Sequence, residues 1–121
     1  MKNTLKTTFL TLMIVTLFVS LNFKEQIVKT QLKVVVLDDV GNLVEGASVQ
    51  LYTSQENFDK ETNPVTEKLT TDAKGIVKFD ELESRVYYIL VQKGDMNNWN
   101  GGIMTDKLQP KRVNKINVVI E

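Results

Sequence analysis

After Lys24, apolar and polar residues alternate in short runs. Leu32, Val34 and Val36 alternate with Lys33, Val35 and Leu37, and Asp38, Asp39, Gly41 and Asn42 then mark a turn. Ala47, Val49 and Leu51 alternate with Ser48, Gln50 and Tyr52, before a polar stretch from Thr53 that closes at Asn63-Pro64. Val65 to Thr71 is a weaker strand candidate, and Asp72-Ala73-Lys74-Gly75 is a turn signal. Val77 and Phe79 flank Lys78, with Leu82 beyond a short acidic turn. Tyr87, Ile89 and Val91 form one more alternating run, and Ile116, Val118 and Ile120 form the last. A period of two is the signature of a strand with one buried face. No segment after residue 24 keeps a 3.6-residue apolar stripe for three turns. The pattern therefore predicts an all-β chain, an antiparallel Greek-key β-sandwich of about seven strands. Its expected core is Leu32, Val34, Val36, Val49, Leu51, Val77, Phe79, Leu82, Tyr87, Ile89, Val91, Ile116, Val118 and Ile120.

The first 23 residues follow a different rule. Lys2 and Lys6 precede an uncharged run, FLTLMIVTLFVSLNF, from Phe9 to Phe23. A charged start followed by an apolar stretch is the pattern of a secretory signal peptide, here expected as a signal helix. The run is shorter than the ~20 residues a membrane-spanning helix needs. Its cleavage site is poorly marked, since Ser20 is small but Phe18 occupies a place that favours a small residue. Residues 1–23 are thus expected to be a signal peptide or N-terminal anchor, and 24–121 one exported domain. Membrane contact is expected only through that first segment.

Composition removes much chemistry. The 121 residues include no His and no Cys, and 15 basic residues balance 15 acidic ones. A Ser-His-Asp triad, a thiol nucleophile, a zinc site of His or Cys and an iron–sulfur cluster all need absent side chains. The balanced charge gives no basic footprint for nucleic acid. No cofactor is expected.

Three motifs in order resemble a known family. The run Val36-Leu37-Asp38-Asp39-Val40-Gly41-Asn42-Leu43-Val44-Glu45-Gly46-Ala47-Ser48-Val49-Gln50-Leu51 resembles V-x-D-x-x-G-x-x-[LIV]-x-G-A-x-V-x-L. Thr71-Asp72-Ala73-Lys74-Gly75-Ile76-Val77-Lys78-Phe79 resembles T-D-x-x-G-x-[VA]-x-F, and Tyr87-Tyr88-Ile89-Leu90-Val91 resembles the Y-x-[LIV]-x-V strand that follows. Together they resemble the carboxypeptidase regulatory-like domains of the transthyretin-like (prealbumin-like) fold, over residues 31–93. The matched residues have architectural readings: Gly41 and Gly75 for positive φ, Gly46-Ala47 for close approach, Asp72 for fixing its turn. Where the family often has a Gly, two residues before the Tyr, this chain has Arg85, so that turn must differ or Arg85 must tolerate it. The resemblance implies no carboxypeptidase activity, since no catalytic domain accompanies it. Hydrolases of the same fold use His, which is lacking. Related pilin and adhesin domains form a Lys–Asn crosslink with their Lys near the end of the first strand, where Val36 and Leu37 stand here. Lys33 with Asn114 or Asn117 is the pair left to consider.

The stretch from Lys93 to Gly102 contains the single Trp of the chain. Trp99 can stack on a sugar ring while Asp95, Asn97, Asn98 and Asn100 bond its hydroxyls. The favoured alternative is a lid, with Trp99 folded over the end of the sandwich. Asp95 and Asn97 begin a calcium-loop spacing, but Trp99 stands where the next oxygen ligand belongs. Asp80, Glu81 and Glu83 read as a solvated turn rather than a carboxylate pair for hydrolysis. The expected function is a non-catalytic structural or protein-interaction module at the bacterial envelope or outside the cell. A carbohydrate-binding module centred on Trp99 is the alternative.

Overall fold

The computed structural model describes residues 29–121. The expected leader and its boundary lie outside the described residues. Seven strands form: β1 Gln31–Asp38, β2 Ser48–Tyr52, β3 Leu69–Thr70, β4 Ile76–Phe79, β5 Tyr88–Lys93, β6 Met96–Asn97 and β7 Val113–Ile120. One sheet has the order β4-β1-β7 and the other β3-β2-β5-β6, so the chain crosses repeatedly between two layers. This is the seven-strand β-sandwich that the alternation predicts.

One pair departs from the antiparallel expectation. β1 and β7 run parallel through eight rungs, from Gln31 opposite Val113 to Asp38 opposite Ile120. Period-two alternation fixes which face a side chain takes but not strand direction, so the sequence pattern is the same either way. A parallel pair needs a long crossover. Here nearly all of the described residues make up that crossover, because among them β1 is the first strand and β7 the last.

The inner faces meet as expected. Leu32, Val34, Val36, Val49, Leu51, Val77, Phe79, Tyr87, Ile89, Val91, Val118 and Ile120 are buried together, with Leu82 and Ile116 half-buried against them. Val44 and Leu108 join this core from outside the alternating runs, and Ala47 joins it from the start of the β2 run. Three short-range devices set the turns. The Asp38 carboxylate accepts from the Val40 and Asn42 amides, and Asp72 accepts from Lys74 and Ile76. Gly75 has φ +72°, and a Cβ there would lie 2.8 Å from the Val36 carbonyl oxygen, so both its conformation and its close approach exclude a side chain. Positive φ before β5 falls on Glu81, not on Arg85; the Arg85 guanidinium instead donates to the Thr53 carbonyl.

The polar stretch after β2 contains a helix, α1 Gln55–Lys60. Ser54 caps it, its hydroxyl accepting from the Asn57 amide at 3.1 Å, and Glu56 pairs with Lys60 one turn on. Glu61, at φ 52°, ends it. Phe58 on this helix is buried with Tyr52 and Leu90, making a second small core on the outer face of the β5 sheet.

Candidate functional site

The segment after β5 turns at Gly94-Asp95 into β6, which pairs Gln92 with Asn97 and Lys93 with Met96. Asn97 then bridges the two sheets, exchanging backbone hydrogen bonds with Glu121 in both directions. Asn98 is 1% exposed. Its Oδ1 accepts from the Val91 amide at 2.9 Å, and its Nδ2 donates to the Ile89 carbonyl at 2.8 Å and the Gly102 carbonyl at 3.1 Å. The carboxamide thus supplies β5 with hydrogen bonds that a neighbouring strand would otherwise make. The chain returns along β5 through Ile103–Thr105, where the Thr105 hydroxyl accepts from the Tyr87 amide.

Trp99 is held between these fixtures. The Asn97 Oδ1 accepts from its amide at 3.0 Å, and the Gly101 amide donates to the Asn98 carbonyl. The indole is 57% exposed, so it does not cap the sandwich as a lid. It lines one side of a cleft of about 280 Å³, with Ile103 on its own loop and Gln55, Phe58 and Asp59 across on α1. Of the five loop residues singled out from sequence, Trp99 faces this cleft. Asn97 and Asn98 use their side chains within the fold, and Asp95 and Asn100 are exposed. The helix residues were missed because a six-residue helix carries too little periodicity to register; its Ser54 cap and Glu56–Lys60 spacing were the available signals.

A second surface lies on the outer face of the β4-β1-β7 sheet. The register places Lys78, Lys33 and Lys115 directly across from one another on the three strands. The rung beside them is Ile76, Val35 and Asn117, and beyond it Leu37 pairs with Val119 and bridges to Leu43. Leu43 and Val119 are about half exposed. The face is therefore basic along one row and largely apolar along the next two. Lys33 faces away from Asn114, whose amide is engaged with Gln31 and Gln109 on the inner side, and Asn117 stands opposite Val35. No Lys33–Asn hydrogen bond forms among the described residues.

No family model matches the sequence, and no curated protein does at a significant level. Solved structures do. The fold is similar to that of the group B streptococcus pilus 2b backbone protein, with TM-score 0.57 and 18% identity over 76% of this chain and 40% of that one. It is also similar to BcpA, the major pilin subunit of Bacillus cereus, with TM-score 0.50 and 19% identity over 76% of this chain and 28% of that one. This chain covers less than half the length of either protein. At this identity the likeness is one of fold, that of a β-sandwich.

Proposed function

We propose that this chain is a non-catalytic, exported β-sandwich module with a structural or protein-interaction role at the bacterial cell envelope. In this reading residues 1–23 direct export, and residues 24–121 form a domain of the carboxypeptidase regulatory-like, transthyretin-like type. The fold similarity to a pilus backbone protein and a major pilin subunit supports an extracellular scaffold.

The observation that carries the interaction role is the outer face of the β4-β1-β7 sheet. Neighbouring strands are about 4.8 Å apart, so the Cα atoms of the three lysines in register span about 10 Å. Like charges directly opposite one another destabilise a sheet. Lysines on edge strands can block unwanted pairing, which accounts for Lys78 and Lys115. Lys33 is on the central strand, where no edge needs protection. The apolar rungs alongside favour a polypeptide over a bare polyanion, which would make no use of them. The partner we assign is an envelope protein segment that alternates acidic and apolar residues.

Carbodiimide coupling of lysine amines to carboxylates, with loss of water, tests this in intact cells, beside co-purification of the partner with the full chain. Amide crosslinks from Lys33, Lys78 or Lys115 to an acidic segment of one envelope protein are expected, and K33E/K78E/K115E should abolish co-purification of that protein while the fold persists. Recovery of the protein in the cytoplasm, or co-purification unaffected by the triple reversal, would rule the reading out.

A further inference from the structure

The cleft beside Trp99 is independent of the lysine face, being lined from α1 and the loop after β6. Its geometry points to a binding site for one neutral pyranose unit of a glycan, and we infer that the sugar stacks on the Trp99 indole with Gln55 and Asp59 taking its hydroxyls. Four observations lead there. The exposure of Trp99 is enforced rather than slack. Its amide is tied to Asn97, and its neighbour Asn98 is anchored by two hydrogen bonds to the buried backbone of β5 and one to the Gly102 carbonyl. A large aromatic held out in water gains nothing for the fold, and a flat apolar face of this kind suits the C–H face of a pyranose with equatorial hydroxyls.

The opposite wall is equally fixed. Phe58 is buried, set edge-on to Tyr52 at 6.1 Å and tilted against Tyr88 at 6.3 Å. Such a wall requires no ordering on binding, which favours affinity in a small site. The polar groups are available. Gln55 and Asp59 are exposed, and neither side chain makes a hydrogen bond among the described residues, whereas Glu56 on the same helix is engaged by Lys60. An amide and a carboxylate side by side supply both donors and acceptors for a diol.

Size and charge then narrow the ligand. About 280 Å³ is at the lower limit of small-molecule pockets, enough for one ring and too small for a nucleotide. The Asp59 carboxylate on the rim disfavours uronic acids, sialic acids and phosphosugars. The polar contacts come from the helix and not from the asparagines of the loop.

The single Trp makes the test direct, because all indole fluorescence reports from this site. Titration of the full chain with cellotriose and with triacetylchitotriose should give, for at least one of them, a saturable blue shift of emission, and trigalacturonic acid should give none. Calorimetry on Trp99→Ala should show binding lost and on Trp99→Phe binding weakened but retained. Asp59→Ala should weaken it by about tenfold. Because Trp99 is exposed, the melting temperature of each Trp variant should match that of the parent. The inference fails if neither neutral sugar shifts the emission at concentrations up to about 10 mM, if Trp99→Ala binds unchanged, or if the acidic trimer binds as well as the neutral ones.

Discussion

Tyr87 shows how much one side chain can organise. It is 1% exposed, and its hydroxyl reaches back four residues to accept from the Glu83 amide at 3.0 Å and donate to the Glu83 carbonyl at 3.2 Å. Its own amide donates to the Thr105 hydroxyl. The ring fills the core while the hydroxyl closes the turn before β5, much as a tyrosine corner does in other sandwiches. Burial holds the phenol above its ordinary pKa of 10.0, and Tyr52 is raised for the same reason. The unfolded chain therefore releases these protons at lower pH than the folded one. Stability from this source is whole below about pH 10 and falls as pH rises through the folded values. Tyr87→Phe should cost about 1 to 2 kcal/mol at neutral pH by urea denaturation. It should also flatten the alkaline decline, and an unchanged alkaline limb would show that Tyr87 does not carry it. The aromatic at this position was legible from its place in an alternating run. Its bond to Glu83 was not, because nothing in the spacing separates a Tyr with a buried partner from one whose hydroxyl reaches water. Asn98 was misread for the same reason: among Asn97, Asn98 and Asn100, only three-dimensional placement selects the carboxamide that completes β5.

At the scale of elements, β1 is the strand under most conflicting demands. Its inner face, Leu32, Val34 and Val36, is fully apolar and buried, while its outer face places Lys33 between two other lysines. Lys33→Glu would turn two repulsive cross-strand pairs into attractive ones but would lose the attraction between Lys33 and the Asp72 carboxylate, so the net gain should be about 0.5 kcal/mol. That is a rise of roughly 2 to 4 °C in melting temperature for a domain of this size. Calorimetric scans at low and high salt check it, and the gain should shrink as salt rises. A loss of stability would show that Lys33 has a structural partner on the sheet. If the proposed function holds, the same substitution strengthens the fold and weakens the interaction, a trade expected where charge is kept for binding. The alternation predicted β1, β2, β4, β5 and β7 because each presents a long enough inward set. Of the weaker candidate Val65 to Thr71, only Leu69–Thr70 forms a strand, β3; β6 has two residues, too short for a period, and α1 follows a capping residue in a stretch whose single buried apolar side chain is Phe58.

At the scale of the whole molecule, closure depends on the last strand. β7 lies parallel to β1 over its full length and, through Glu121 and Asn97, is tied to the edge of the other sheet. Ile116, Val118 and Ile120 reach the main core from it, the latter two buried. Removing 113–121 would strip these side chains and expose β1 along an edge that now has eight paired rungs. Each buried Ile or Val contributes about 1.5–3 kcal/mol by area, so the loss is of the order of the whole stability of a small domain. A chain ending at Arg112 should therefore be unfolded at 25 °C, with flat thermal scans and random-coil circular dichroism. A chain beginning at Lys24 should behave oppositely. Among the described residues, the main core lies between Leu32 and Ile120, so its melting temperature should equal that of the full chain. A cooperative transition in the first variant would mean that β7 adds to a sandwich already complete. A marked drop in the second would mean that part of the 1–23 segment belongs to the fold rather than to export.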